Sequence, residues 1–298
     1  MIAFINVISK DNSFNLIFGG AFLKKPIKNV AAIHDLVGVG KAALTNIIPV
    51  MSVLNVDVCP IPTVILSTHM GGYGKPAIRK LNGYIDECRE HYKQNNVEFD
   101  SILVGYLGDR ENVIETKNFI KEFKRQNNLV VVDPILGDNG KLYSGFDKEY
   151  ISEIRCVLGD ADIITPNITE ACLLTGYEYR DDLKHDDILN ICRKLADFGC
   201  SNVVITSIPG SEDSIGIAVY NWGELNILYF DRIKGAFHGT GDIFDAVLIG
   251  KILNGSDLLS AVKCSADFIR ECIKYSLKYD YPEREGVMVE SVLYKLRG

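Results

Sequence analysis

Three features of the sequence predict an α/β fold with a central, mostly parallel sheet flanked by helices. From Lys28 onward, short β-branched runs alternate with longer amphipathic stretches. Several of these runs end in text rich in Gly, Asp, Asn and Pro, where ligands of open α/β sheets bind. The chain's 298 residues, 47% of them hydrophobic, can bury one large core or two modest ones.

Taken in order, strands are predicted over residues 30–33, 56–59, 63–66, 101–104, 129–132, 163–165 and 203–206, each a short run dominated by Val, Ile and Leu. Helices are predicted over 75–91, 113–125, 186–198 and 256–275, where apolar residues recur at three- and four-residue spacing and can cover one sheet face. A short helix is expected at 171–175. The runs 214–220 and 225–230, joined by Asn221-Trp222-Gly223-Glu224, form a hairpin that adds antiparallel strands. No repeat or long linker interrupts this pattern, so residues 29–298 read as a single domain behind an N-terminal extension, 1–28, of unassigned role.

Composition excludes several classes of function. A formal charge of −7 and a pI near 5.3, with no Lys/Arg run longer than two, argue against a nucleic-acid surface or a polybasic membrane anchor. The apolar start, Met1 to Ile8, is interrupted by Lys10, Asp11 and Asn12 and lacks a small-residue cleavage site, so export is not expected. No stretch reaches the roughly 18 apolar residues of a membrane helix. Eight cysteines are scattered without a CxxC pair, which reads as reduced, mostly buried thiols of a cytoplasmic protein.

The chemistry concentrates in 237–248. Gly239, Thr240 and Gly241 let the backbone approach an anion at the mouth of an apolar helix, and Asp242 stands where it could take a proton from an attacking hydroxyl. The plainer reading is a helix cap after a glycine turn. The loop Asp133 to Gly140 carries two carboxylates, Asp133 and Asp138, suited to a magnesium ion, or simply a polar turn. Thr165, Asn167 and Glu170 form either a capping box or a group of oxygen donors at a strand end. In the loop Ser67 to Gly74, His69 is assigned to substrate contact rather than to a general base, although a lone His is more often structural. Gly38, Gly40 and Lys41 do not have P-loop spacing.

In this order the motifs Ala32-Ile33-His34-Asp35-Leu36-Val37-Gly38-Val39-Gly40, Leu66-Ser67-Thr68-His69, Asp133 to Tyr143, Asp162 to Asn167, Val204 to Ser207 and Gly239 to Asp242 resemble pyridoxal kinases of the ribokinase-like superfamily, from about Asn29 to Tyr275. The resemblance implies a ribokinase-like three-layer sandwich, a homodimer, and ATP-dependent phosphorylation of the 5′-hydroxymethyl group of vitamin B6 (pyridoxal, pyridoxine or pyridoxamine). It implies Asp242 as catalytic base and the Gly239, Thr240 and Gly241 backbone as anion hole. Asp138, Tyr143, Asn167, Thr206 and Ser207 would meet ATP. Asp133, Asp138, Thr165 and Glu170 would serve Mg²⁺, with room for a monovalent cation. Asp35, His69, Met70 and Tyr106 would face the substrate. Many members carry Ser at the position of Asp35 and Thr at that of Met70, which bears on the choice of vitamer. The alternatives are a hydroxymethylpyrimidine kinase, whose usual text has Cys in place of Asp242, and a non-catalytic nucleotide-binding relative.

Overall fold

The computed structural model describes residues 27–235 and 237–297. The sheet is built around β1 (Lys28–Val39), flanked in parallel by β2 (Val56–Thr68) and β4 (Ser101–Val104). Strands β5 (Leu129–Val132), β8 (Ile163–Ile164) and β9 (Asn202–Pro209) extend the parallel core. Antiparallel β3 (Ile78–Lys80) closes one edge, and β10 (Ser214–Asn221) with β11 (Glu224–Asp231) closes the other, in the order β11-β10-β9-β8-β5-β4-β1-β2-β3. A separate ribbon pairs β6 (Gly137–Asp138) with β7 (Lys141–Leu142).

Alternation along the strands produces the three layers. Ala31, Ile33, Ile102, Val104, Val130, Val132 and Val203 point into one core, against α2 (Tyr84–Gln94), α3 (Arg110–Phe123), α4 (Lys148–Leu158), α5 (Ile168–Thr175) and α6 (His185–Ala196). Their neighbours Val30, Leu103, Val131 and Val204 point into the other, against α1 (Leu44–Val53), α7 (Thr240–Leu253) and α8 (Leu258–Ser276). Helix α7 is buried without a break from Asp242 to Gly250, so it sits as a central rod between α1 and α8. The chain leaves β1 in one direction to form β2 and later crosses back to place β4 on its other side. The carboxyl ends of β1 and β4 therefore flank a switch point in the strand order, the place where ligands of open α/β sheets bind.

Several boundaries differ from the sequence reading. The stretch from His34 to Val39 stays extended because it continues to pair with β2 as far as Thr68, with a register shift at Asp35. Pro60 and Pro62 fit inside β2 because β3 pairs only with Val64 to Leu66, leaving the earlier edge free of a ladder that would need their N–H groups. The predicted helix 75–91 breaks into β3 and α2, with Gly83 at φ 85° opening the helix. Helices α1 and α4 were not anticipated. The first carries Pro49 inside it, and the second is capped by Asp147, which accepts from Tyr150 N. The expected hairpin forms, its turn made by Trp222 and Gly223 at φ 48° and 99°. Lys28, placed in the extension by the sequence, opens β1, whereas residues 1–26 lie outside the described residues. Among the described residues no helix is long and apolar enough to cross a membrane. None of the eight cysteines forms a disulfide, and Cys88, Cys172, Cys192, Cys200 and Cys272 are buried.

Candidate active site

The N-terminus of α7 faces the carboxyl ends of β1 and β4. Gly239 takes φ 76°, and a Cβ there would overlap Lys41 O and crowd Asn46 Nδ2, so glycine is what allows the two loops to meet. Asn46 ties them together, its Nδ2 donating to Lys41 O at 2.6 Å and to Gly239 O at 3.2 Å. Asp242, only 8% exposed, accepts from Ala43 N at 2.5 Å through Oδ2 and lies 3.1 Å from His34 Nε2 through Oδ1. Ala43 adopts φ 58°, a strained conformation for a residue with a side chain, held where its N–H meets the carboxylate. Burial pushes the Asp242 carboxyl up, but the hydrogen bond and charge of His34 and the Ala43 N–H outweigh it and hold the group below the usual carboxylate range.

Behind Asp242 lies a group of buried carboxyls. Burial, then the charges of Asp245, Glu170 and Asp242, raises Asp133 well above its ordinary value. Burial likewise pushes Asp245 up to about 8 and Glu170 up to about 7. Asp245 was missed in the sequence, although a carboxylate one turn beyond Asp242 in an otherwise apolar helix is a readable signal. Thr165 is buried beside Asp245, and neither Thr165 Oγ1 nor Asp245 Oδ1 has a well-formed hydrogen bond. This set offers hard oxygen donors with excess negative charge, the chemistry that suits Mg²⁺. Among the described residues no three His, Cys, Asp or Glu side chains close into a metal cage.

The β6–β7 ribbon carries Asp138 at its tip. Asn139 and Gly140 at φ 51° and 73° make a two-residue turn, and Asn139 donates to both Asp138 oxygens through its main-chain and side-chain nitrogens. The ribbon is docked on α5. Glu170 accepts from Leu136 N, Gly137 N and Asn167 N, Asn167 Nδ2 donates to Gly137 O at 2.9 Å, and Thr169 accepts from Gly140 N. The capping box foreseen at Asn167 and Glu170 is present, and the same two side chains also anchor the ribbon. Tyr143, just beyond it, is half-exposed, yet burial and the charges of Glu170, Asp138, Asp133 and Asp242 raise its hydroxyl, which places it beside the carboxyl group. Thr206 pairs with Asn167 across the strand ends, and Ser207 follows at φ 59°.

On the far side of His34, Tyr106 looks toward Asp35. Burial, then the charges of Asp35 and Asp109, pushes its hydroxyl up to about 12. His69 is placed differently. Its Nε2–H donates to Arg284 O at 2.6 Å, its Nδ1 accepts from Gly71 N, and its ring lies 4.4 Å from that of His238. The hydrogen-bonding capacity assigned to substrate is thus spent on main chain, and the residue pins the 69–74 loop over the His238–Gly239 turn. Met70 is 56% exposed on that loop. His34 carries no functional signal in the sequence, because it stands in an apolar strand with nothing nearby to show that α7 reaches it.

The chain matches the phosphomethylpyrimidine kinase family over residues 85–285. It is 30% identical to human pyridoxal kinase over 222 residues, 67% of this chain and 69% of that protein. A crystal structure from Bacteroides thetaiotaomicron, of a candidate phosphomethylpyrimidine kinase with pyridoxal, superposes with a TM-score of 0.87 at 35% identity, covering 91% of this chain and 96% of that one. Pyridoxal kinase from Lactobacillus plantarum superposes at 0.84 with 30% identity, covering 91% and 97%. The matched segment spans 57%, 75% and 59% of the length of three curated relatives from a nematode and fission yeast.

Proposed function

Because the chain belongs to the phosphomethylpyrimidine kinase family, we propose that it transfers the γ-phosphoryl group of ATP to the 5′-hydroxymethyl group of a B6 vitamer. The observation that carries this reading is Asp242, an ionised, buried carboxylate at the mouth of α7, beside the carboxyl ends of β1 and β4. As the alcohol oxygen bonds to the γ-phosphorus and the bond to ADP breaks, Asp242 takes the hydroxyl proton. The free N–H groups of the first turn of α7, made approachable by Gly239 and Gly241, face the charge that develops on the transferred group. Asp35 and Tyr106 border the acceptor, while the Asp138 ribbon with Tyr143, Asn167, Thr206 and Ser207 borders the nucleotide. Asp133, Asp138, Thr165 and Glu170 would hold Mg²⁺, which when bound offsets phosphate charge. The Bacteroides structure with pyridoxal supports a pyridine acceptor, and Asp242, standing where thiamine-pathway kinases usually carry Cys, supports the B6 reading over hydroxymethylpyrimidine.

The exposed apolar residues Val39, Ile65 and Ile78, on the β1–β2–β3 edge, support a homodimer through that edge, and eight cysteines outside any disulfide fit a reducing, cytoplasmic setting. The test of the function is a kinase assay on pyridoxal, pyridoxine, pyridoxamine and hydroxymethylpyrimidine. The largest kcat/KM is expected for a B6 vitamer. A preference for hydroxymethylpyrimidine overturns the assignment, and no turnover with any of the four points to a nucleotide-binding protein.

A further inference from the structure

Apart from the carboxyl groups, one buried polar side chain occupies the centre of the site without a role in phosphoryl transfer. His34 is 3% exposed at the carboxyl end of β1, its Nδ1 2.6 Å from Asp35 Oδ1 and its Nε2 3.1 Å from Asp242 Oδ1. The ring is seated by the backbone. A Cβ on Gly105, the residue that follows β4, would overlap the imidazole, so the chain leaving the neighbouring strand makes room for the ring. We propose that His34 is a positioning residue for Asp242, an imidazolium that is held by Asp35 and fixes the rotamer and charge of the base.

The geometry sets a carboxylate oxygen against each ring nitrogen. Asp35 N also approaches Nδ1, at 2.9 Å, but the 2.6 Å contact of Nδ1 with Asp35 Oδ1 is the closer one, and together with the Nε2 contact to an ionised Asp242 it favours a proton on each nitrogen. The groups facing His34 agree. Asp35 comes from its own strand, Asp242 and Asp245 from α7, and the chain leaving β4 presents the Gly105 backbone, with the Tyr106 hydroxyl turned toward Asp35. Burial alone would expel the proton, but the two carboxylate partners outweigh burial and push the imidazole up to about 10. With Oδ1 held by His34 and Oδ2 by Ala43 N, Asp242 cannot swing away from the acceptor. When it takes the hydroxyl proton, His34 keeps its own, so the ring orders and tunes the base without relaying a proton. Asp35 thereby gains a duty besides facing substrate, which gives the chain a reason to carry a carboxylate there.

The inference rests on the kinase reading, and the test separates the two. Wild-type turnover is measured first with the alcohol that works best, so that absence of turnover counts against the kinase reading alone. The ring ¹⁵N shifts of His34 in the wild-type protein, assigned by comparison with His34→Gln, report its charge without any activity. They are expected to show both nitrogens protonated at pH 8, and a neutral ring there overturns the proposal. In kinetics, His34→Gln keeps a donor near Asp242 but loses the charge. Its kcat is expected to fall about ten- to hundredfold with ATP KM little changed, and the acid limb of kcat/KM to move to higher pH. His34→Ala is expected to fall further than His34→Gln, and Asp35→Asn to move the acid limb the same way. An acid limb that stays in place in His34→Gln overturns the inference even if kcat drops, because lost packing alone lowers activity without moving the titration of the base.

Discussion

Asp242 and Asp245 stand one turn apart on α7, and their surroundings drive their protons in opposite directions. Asp242 faces His34 and Ala43 N and stays ionised, whereas burial, then the charge of Asp242, pushes Asp245 up to about 8. Asp242→Asn is therefore expected to lower kcat by about 10²–10⁴ while leaving ATP affinity nearly unchanged, checked by steady-state kinetics and calorimetry. Near-wild-type turnover would remove Asp242 from the mechanism. Asp245→Asn removes a buried carboxyl that repels Asp133, and is expected to raise Tm at pH 8 by a few degrees, on a scale of about 2–4 °C per kcal/mol. At pH 5.5, where Asp245 already holds its proton, the gain should be smaller. Of these two residues the sequence showed the first, because it follows a glycine turn. The second follows no glycine turn, and although a carboxylate in so apolar a helix is a signal, its contact with Asp133 comes only from the fold.

At the scale of elements, the site is a meeting of pieces that each have a local reason to form. The β6–β7 ribbon turns at Asn139-Gly140 because both positions take positive φ, and it stays in place because Glu170 and Asn167 hold it to α5. A Cβ on Gly140 would come within 2.7 Å of Tyr179 Cδ1, in a backbone conformation that alanine resists. Gly140→Ala should therefore shift the ribbon and raise KM for ATP about tenfold, equivalent to about 1.4 kcal/mol, with a smaller change in KM for the alcohol. Equal changes in both would place the ribbon away from the nucleotide. The capping box and the Asp-Asn-Gly turn were readable from residue order alone. Helix α1 was not, since it has no acidic first turn, no capping side chain and a proline inside, and it forms because Ile47, Val50 and Met51 bury themselves against α7 and the sheet.

For the whole molecule, the buried carboxyls make stability depend on pH and on cations. Glu170 and Asp245 titrate at about 7 and 8 in the fold, above their ordinary range, so the native state binds more protons than the unfolded chain. Their contribution is fully present below the ordinary carboxyl range and is lost as pH rises through 7 and 8. His34 adds to the same trend at higher pH, its contribution complete below pH 6.5 and lost as pH approaches 10. Without divalent cations, Tm should fall steadily from pH 5.5 to pH 9. Mg²⁺ competes with the protons, so it should raise Tm more at pH 8 than at pH 5.5, and excess EDTA should abolish turnover. A Tm rise of the same size at both pH values would show that the cation binds elsewhere.

The order of strands and helices, the hairpin, the ribbon turn, the α5 cap and the glycine-flanked Asp242 were determined by the sequence itself, because each rests on periodicity or backbone chemistry within a dozen residues. Strand lengths and the two unforeseen helices were decided by partners far along the chain, as when β2 holds His34 to Val39 extended. Only the tertiary structure could place His34 between Asp35 and Asp242 or set Asp245 against Asp133. The His34–Asp242 and Asp133–Asp245 contacts join residues more than a hundred positions apart, and burial gives them their charge states. Charge in a buried site belongs to the neighbours as much as to the residue, and the fold chooses the neighbours.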